Sequence, residues 1–223
     1  MDRLQRITLL LGKEAISKLQ KSTVMVVGCG AVGSFAIESL ARSGVGHLIL
    51  VDFDNVEESN INRQLFALES TVAKPKVMIA AARIADINPD IVVDTFNMFF
   101  DENTKLNVKP DFVIDAIDTV SSKIALYKWC FDNNIPFVSS MGAARKTDLT
   151  KIKIDKISKT TVCPLASKIR HIVRELKIKD FPVVYSTEVA TPQSNGGREF
   201  GSVITVTGTF GLMLSDFVIK KLI

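Results

Sequence analysis

The chain has 223 residues, with 47% hydrophobic and 23% charged residues and a formal net charge of +4. That is enough for a sizeable core, in one large domain or one and a half small ones, and the mild basic excess permits an anionic partner without demanding one. Cys29, Cys130 and Cys163 form no C-x-x-C pair, which argues against a zinc ribbon and suits a reducing, cytoplasmic setting, and Met1-Asp2-Arg3-Leu4-Gln5-Arg6 is too polar for a secretory signal.

Residues 3–21 read as an amphipathic helical arm, broken at Gly12 after Leu9-Leu10-Leu11. Val24-Met25-Val26-Val27 is an apolar run of strand length. It leads into Gly28-Cys29-Gly30-Ala31-Val32-Gly33 and a helical pattern through Phe35, Ala36, Leu40 and Ala41. A second apolar run over 48–51 ends in Asp52. Residues 53–66 form a loop too polar for core. Lys74-Pro75-Lys76 opens a helix to about Ile87, with proline at its first turn. A strand over 90–96, a short helix over 101–106, a buried strand over 111–116, a helix over 121–131 and a strand over 136–140 follow. Residues 152–157 alternate apolar and polar, as a half-exposed strand does. Residues 164–176 read as a basic amphipathic helix with Lys168, Arg170, His171 and Arg174, and Lys177 follows it. A short strand covers 183–186, and a loop covers 190–202.

The most apolar long stretch, 203–219, is interrupted by Thr205, Thr207, Thr209, Ser215 and Asp216. A membrane span needs roughly 20 mainly apolar residues. This stretch therefore reads as a buried C-terminal helix, with no membrane association expected. The alternation of strands and helices predicts an α/β fold: a mostly parallel sheet with helices on both faces, extended by a few further strands and that C-terminal helix.

The glycines follow G-x-G-x-x-G inside a strand–helix–strand unit. The first allows a tight turn, the second lets phosphate approach the backbone, and the third lets the helix pack on the strand. Asp52 can bind a ribose hydroxyl pair. This much says nucleotide, without saying which. Downstream, Ser59-Asn60-Ile61-Asn62-Arg63-Gln64 brings amides and a guanidinium over the site, Lys76 lies at a helix start, and Asp118 ends another strand on the same sheet edge. Cations that spread phosphate charge and a carboxylate that can hold Mg2+ suit phosphoryl or nucleotidyl transfer. A dinucleotide dehydrogenase needs none of these three. Each also has a plainer reading: Arg63 as a surface charge, Lys76 as a solvated helix face, Asp118 as an N-cap before Val120.

Gly28-x-Gly30-x-x-Gly33, Asp52-Phe53-Asp54, Ser59-Asn60-x-x-Arg63-Gln64, Lys74-Pro75-Lys76 and Asp115-x-x-Asp118 together resemble the ubiquitin-activating-enzyme-like adenylyltransferases, whose bacterial members are the ThiF, MoeB and HesA proteins. The resemblance covers roughly residues 3–140 and implies a Rossmann-like fold that binds ATP and Mg2+. It implies cofactor-binding roles for Gly28, Gly30, Ala31, Gly33, Asp52, Asp54, Asn60, Arg63, Gln64 and Lys76. It also implies catalytic roles for Arg63, Lys76 and Asp118, with Asp118 as the metal ligand. Arg3-Leu4-Gln5-Arg6 resembles the family's arm that reaches a neighbouring subunit's ATP. This implies a homodimer with Arg6 as the reaching residue. The chemistry implied is attack of a carboxylate on the α-phosphate.

The zinc-binding cysteine pairs of the molybdopterin and thiamine branches are absent from the sequence. Gly142-Ala143-Ala144, Asp148-Leu149-Thr150-Lys151-Ile152, Pro164-Leu165-Ala166-Ser167-Lys168, Tyr185-Ser186-Thr187-Glu188 and Pro192-Gln193 instead resemble the branch that cyclises threonylcarbamoyladenosine in transfer RNA. That resemblance extends over nearly the whole chain. It implies one adenylyltransferase domain over 1–223: an arm over 1–22, a nucleotide part over 23–140, and a substrate and dimer part over 141–223. The basic helix, with Arg145 and Lys146, can meet RNA phosphates or be a solvated face. A ubiquitin-like sulfur-carrier protein is the alternative acceptor, and an NAD oxidoreductase or a non-catalytic nucleotide sensor are more distant alternatives. Cys163 is the one candidate for a thioester, before a helix. His47 and His171 have no partner visible in sequence.

Overall fold

The computed structural model describes residues 3–192 and 200–223. Period-two alternation in the strands divides the interior into two layers. In β1 (Thr23–Val27), Val24 and Val26 join one core and Met25 and Val27 the other. β2 (His47–Asp52) does the same with Leu48 and Leu50 against Ile49 and Val51. β3 (Val92–Asn97), β4 (Phe112–Asp115), β5 (Phe137–Ser140), β6 (Ile152–Lys156) and β7 (Pro182–Ser186) complete a seven-stranded sheet in the order β3-β2-β1-β4-β5-β7-β6. All neighbours are parallel except β6 and β7. Val24 sits opposite Leu48 on one side and Phe112 on the other.

Helix α2 (Lys13–Lys21), α3 (Gly33–Arg42), α4 (Lys76–Ile87) and α7 (Ile204–Leu222) bury their apolar stripes in the first layer. Helices α5 (Val120–Asp132) and α6 (Pro164–Glu175) cover the opposite face. The arm is two helices, α1 (Gln5–Leu11) and α2, divided at Gly12, whose φ of 86° lies in the region only glycine adopts freely. In α1, Leu9 and Leu10 face solvent. The glycines of the apolar C-terminal helix have a packing reason: a Cβ at Gly211 would lie 2.3 Å from the Val32 carbonyl oxygen, so α7 rests directly on the start of α3. No helix among the described residues is long and apolar enough to cross a membrane.

Two expectations are corrected. Residues 101–106 form no helix. The Asp101 carboxylate accepts the Asn103 N–H at 2.9 Å, and Thr104 Oγ1 accepts the Asp101 N–H at 2.9 Å, so side chains close a turn that competes with helix. The 53–66 loop is not wholly outside the core, for it buries Val56, Asn60, Gln64 and Phe66. Gln193 and Ser194-Asn195-Gly196-Gly197, part of the expected 190–202 loop, lie outside the described residues.

Candidate active site

Connections leave β1 toward β2 and β3 on one side, while β4, β5 and β7 lie on the other. Such a reversal opens a crevice beyond the carboxyl ends of the strands. A cavity of about 670 Å³ occurs here. Gly28, with φ 96°, ends β1 so close to β4 that a Cβ would sit 2.7 Å from the Ala116 carbonyl oxygen. Gly33 serves differently: its Cβ would lie 1.7 Å from the Gly28 carbonyl oxygen. It seats α3 on the turn and does not line the cavity.

Asp52 is locked in place. Its Oδ2 accepts the Cys29 N–H at 2.6 Å, and its Oδ1 accepts the Asp54 N–H at 2.8 Å. Burial pushes the carboxyl above its usual value, outweighing these two N–H donors and the Lys76 charge. Lys76, at the first residue of α4, is buried, and its Nζ donates to Asp54 Oδ2 at 2.7 Å. It is therefore not a solvated helix face. Asn60 is buried; its Oδ1 accepts the Glu57 N–H at 3.2 Å and closes a short 3₁₀ turn. Arg63 Nη1 donates to the Ser59 carbonyl at 2.7 Å and to Asn62 Oδ1 at 2.8 Å, which sets the direction of the guanidinium.

Asp118 is exposed at the cavity wall and, among the described residues, accepts only from Thr119 Oγ1, at 3.2 Å, while the N-cap of α5 is Thr119. Asp118 is thus no helix cap. One turn on, Ser122 Oγ is buried with no hydrogen-bond partner among the described residues, and Ser122 lines the same cavity. A ligand oxygen there would satisfy it. Gly28, Gly30, Ala31, Asp52, Asp54, Asn60, Arg63, Gln64, Lys76 and Asp118 come together in this one cavity, and Gly33 does not line it. Nor does Arg6. It is exposed on α1, and the preceding Leu4 packs against Gly44, beyond the opposite end of α3 from the glycine turn.

Beneath the cavity lies a network that sequence reasoning missed. Asp115 and Lys123 are fully buried, with Lys123 Nζ 2.7 Å from Asp115 Oδ2. Tyr127 Oη and Ser139 Oγ reach the same oxygen at 2.8 and 2.5 Å. Burial, and then the Asp115 charge, push the Tyr127 phenol well above its ordinary value, so it stays a neutral donor. Asp115 Oδ1 also accepts the Ile117 N–H at 3.0 Å, and Lys123 donates to the Ser140 carbonyl at 2.7 Å. The pair so ties the start of the Asp118 loop to the start of the loop after β5. The available signal was Lys123 and Tyr127 at i, i+4, two polar-tipped residues on one helix face.

The cysteines and histidines fall apart from this chemistry. Burial raises the thiols of Cys29 and Cys130, disfavouring thiolate. Cys163 is buried in the cavity wall at the N-cap of α6. His47 does have partners, Thr23 Oγ1 at 3.3 Å and Asp94 Oδ2 at 3.0 Å, and His171 lies 3.3 Å from Glu175. Neither histidine lines the cavity. On α6, Lys168 and Arg174 are exposed, whereas Arg170 is tied to the Thr160 carbonyl at 2.9 Å.

The profile of the ThiF family matches residues 2–223. The chain belongs to the ThiF family. This ThiF-family chain is 49% identical over 192 residues to the tRNA threonylcarbamoyladenosine dehydratase of Bacillus subtilis, an alignment covering 84% of this chain and 76% of that protein. Its fold superposes with a TM-score of 0.92 on the Escherichia coli tRNA N6-threonylcarbamoyladenosine dehydratase, TcdA, solved in complex with ATP; the two are 35% identical, over 99% of this chain and 93% of the other. The molybdopterin-synthase adenylyltransferase of E. coli is 37% identical over 141 residues, which is 62% of this chain and 55% of that protein.

Proposed function

We propose that this ThiF-family protein uses ATP to dehydrate threonylcarbamoyladenosine in tRNA to its cyclic form. The observation that carries the reading is the reach of the likeness. The dehydratases align over 84% and 99% of the chain, acceptor half included, against 62% for the molybdopterin-synthase enzyme.

In this reading the threonyl carboxylate oxygen attacks the α-phosphorus of ATP. The bond from that phosphorus to the bridging oxygen breaks and pyrophosphate leaves. An atom of the carbamoyl group then attacks the acyl carbon and expels AMP, which carries off the former carboxylate oxygen, and one proton is released. The nucleoside loses one water in total, and no enzyme thioester is needed. Gly28, Gly30 and Ala31 let the nucleotide lie against the backbone, and the pinned Asp52 accepts from ribose hydroxyls. Asn60, Arg63, Gln64 and Lys76 meet the phosphates, where fixed donors stabilise the charge that develops. Asp54 holds Lys76 in position. An oxygen donor set suits Mg2+, and Asp118, beside the unsatisfied Ser122 hydroxyl, would hold it. When bound, Mg2+ supplies charge neutralisation to the departing pyrophosphate.

The arm supports a homodimer. Arg6 lies outside the cavity of its own chain, with Leu9 and Leu10 exposed on the same helix. A partner's Arg6 would then complete the site. Residues 1–223 act as one unit, and three free cysteines suit the cytoplasm.

The test is mass spectrometry of nucleosides after incubation with ATP and tRNA bearing threonylcarbamoyladenosine. Loss of one water, with AMP and pyrophosphate formed, is the expected result. No change with competent RNA and ATP would overturn the reading. The likeness to molybdopterin-synthase adenylyltransferase keeps a carrier protein as second acceptor. That reading instead expects ATP–pyrophosphate exchange driven by a protein ending in Gly-Gly.

A further inference from the structure

Three lysines are buried among the described residues: Lys76, Lys123 and Lys146. Two have a carboxylate at 2.7 Å, namely Asp54 and Asp115. Lys146 has none. The residue is 3% exposed and it lines the cavity, yet among the described residues its Nζ has a single hydrogen bond, to the Glu188 carbonyl oxygen. The Glu188 carboxylate is used otherwise: Oε2 accepts the N–H groups of Thr147 and Asp148, each at 3.0 Å. Those N–H groups hold the Glu188 carboxyl below its usual range, and the Lys146 charge is the least of the influences on it. A buried ammonium with no carboxylate at ion-pair distance is unfavourable. Such a group persists in a binding site when a ligand brings the missing anion.

The position tells which anion. Along the carboxyl edge of the sheet, Asp52 ends β2, the glycine turn follows β1, Asp118 follows β4, and Lys146 follows β5. From β2 to β5 is three strand spacings, about 14 Å at ~4.8 Å each. Lys146 thus belongs to the loop after a strand three places from the one that Asp52 ends, beyond the strands that carry the glycine turn and Asp118. Its backbone is held: Arg145 donates its N–H to the Gly201 carbonyl at 2.8 Å and its Nε to the Thr191 carbonyl at 2.7 Å. Lys146 is enclosed, so it does not meet RNA phosphates at the surface, the role that the sequence allows for Arg145 and Lys146.

We infer that Lys146 is the anchor for the acceptor's carboxylate, binding it beside the α-phosphate before it attacks. This rests on the adenylylation reading above. No bond to Lys146 forms or breaks; it orients the nucleophile and specifies an anionic acceptor.

The experiment compares wild type with Lys146→Met and Lys146→Arg. The ligands are ATP, tRNA bearing threonylcarbamoyladenosine, and the same tRNA with unmodified adenosine. RNA binding is measured with a non-hydrolysable ATP analogue present, and cyclisation by mass spectrometry. Lys146→Met is expected to weaken the modified tRNA at least about tenfold. It should leave the unmodified tRNA and ATP within about twofold, and Lys146→Arg should restore part of the preference. The free Lys146→Met protein is expected to melt no lower than wild type, since it loses a buried charge that no carboxylate contacts. Equal weakening of both RNAs, parallel loss of ATP, an unchanged preference, or a lower melting point would each overturn the assignment. Wild type that binds ATP but never cyclises the nucleoside overturns the functional reading as well. Wild type that cyclises while Lys146→Met matches it overturns only the role of Lys146.

Discussion

Lys76 Nζ lies 2.7 Å from Asp54 Oδ2, and the two side chains are unequally covered, 7% exposed for the lysine and 45% for the aspartate. The ammonium is fixed while its partner stays wet. A phosphate can therefore approach Lys76 without first ordering it. Lys76→Met is expected to keep the fold and to lower ATP turnover by about 10²–10³-fold, the usual range for one preorganised donor. ATP-dependent pyrophosphate release reads this directly. Turnover within tenfold of wild type would remove Lys76 from the phosphate site.

Asp118 separates chemistry from stability. It is exposed, and one hydroxyl is its only partner among the described residues. Asp118→Asn should change unfolding free energy by no more than about 0.5 kcal/mol, as exposed substitutions do. Activity should fall at least about a hundredfold at low Mg2+. Titrating Mg2+ against turnover in both proteins checks the assignment. An unshifted Mg2+ dependence would count against Asp118 as the ligand.

The buried Asp115–Lys123 pair behaves in the opposite way. Lys123→Met leaves Asp115 buried with only hydroxyl and backbone donors. Breaking such a pair costs about 3–5 kcal/mol. Replacing both members, Asp115→Leu with Lys123→Met, is expected to recover part of that loss. Urea unfolding of the two single variants and the double variant measures the coupling. Additive losses would mean that the two charges act independently.

Gly33 has no room for a side chain. An alanine Cβ there would stand 1.7 Å from the Gly28 carbonyl oxygen. Gly33→Ala is expected to destabilise by about 3 kcal/mol or more, since overpacking at backbone leaves nothing flexible to yield. It should also displace the turn that carries Gly28. Thermal unfolding and ATP binding are expected to fall together.

Glu38 supplies a pH dependence. Burial alone would raise its carboxyl, but hydrogen bonds and charges from Arg83 and Arg42 outweigh that and hold it below the ordinary value of 4.5. A carboxyl lowered on folding contributes stability above its unfolded value and loses it as pH falls through the folded one. The arginines are 44% and 58% exposed. Solvent screening then keeps the effect near about 1 kcal/mol. Glu38→Gln should be less stable than wild type by that amount at pH 7, and the two should converge below the ordinary value. Urea midpoints at both ends of that range test the sign.

Much of this molecule is legible residue by residue. The alternation of Val24 to Val27, the glycine spacing after it and the stripe of α3 are local patterns, and they predict the βαβ unit because strand and helix periods are local properties. The 101–106 segment shows where that reasoning stops: short polar segments choose between helix and turn by individual side-chain hydrogen bonds, which composition does not reveal.

The residue types by themselves determined an α/β sheet with glycine, lysine, arginine and aspartate toward one edge, the types that suit a phosphate, because these residues carry their chemistry wherever they stand. The tertiary structure alone decided which of them meet. Gly28 abuts Ala116, Lys123 finds Asp115 inside the sheet–helix layer, and Arg6 is left outside its own cavity. It also separated three lysines that look alike in sequence, two paired and one without a carboxylate. Burial and pairing depend on which strand ends become neighbours, and the crossover from β3 to β4, which sets β4 beside β1, decides that.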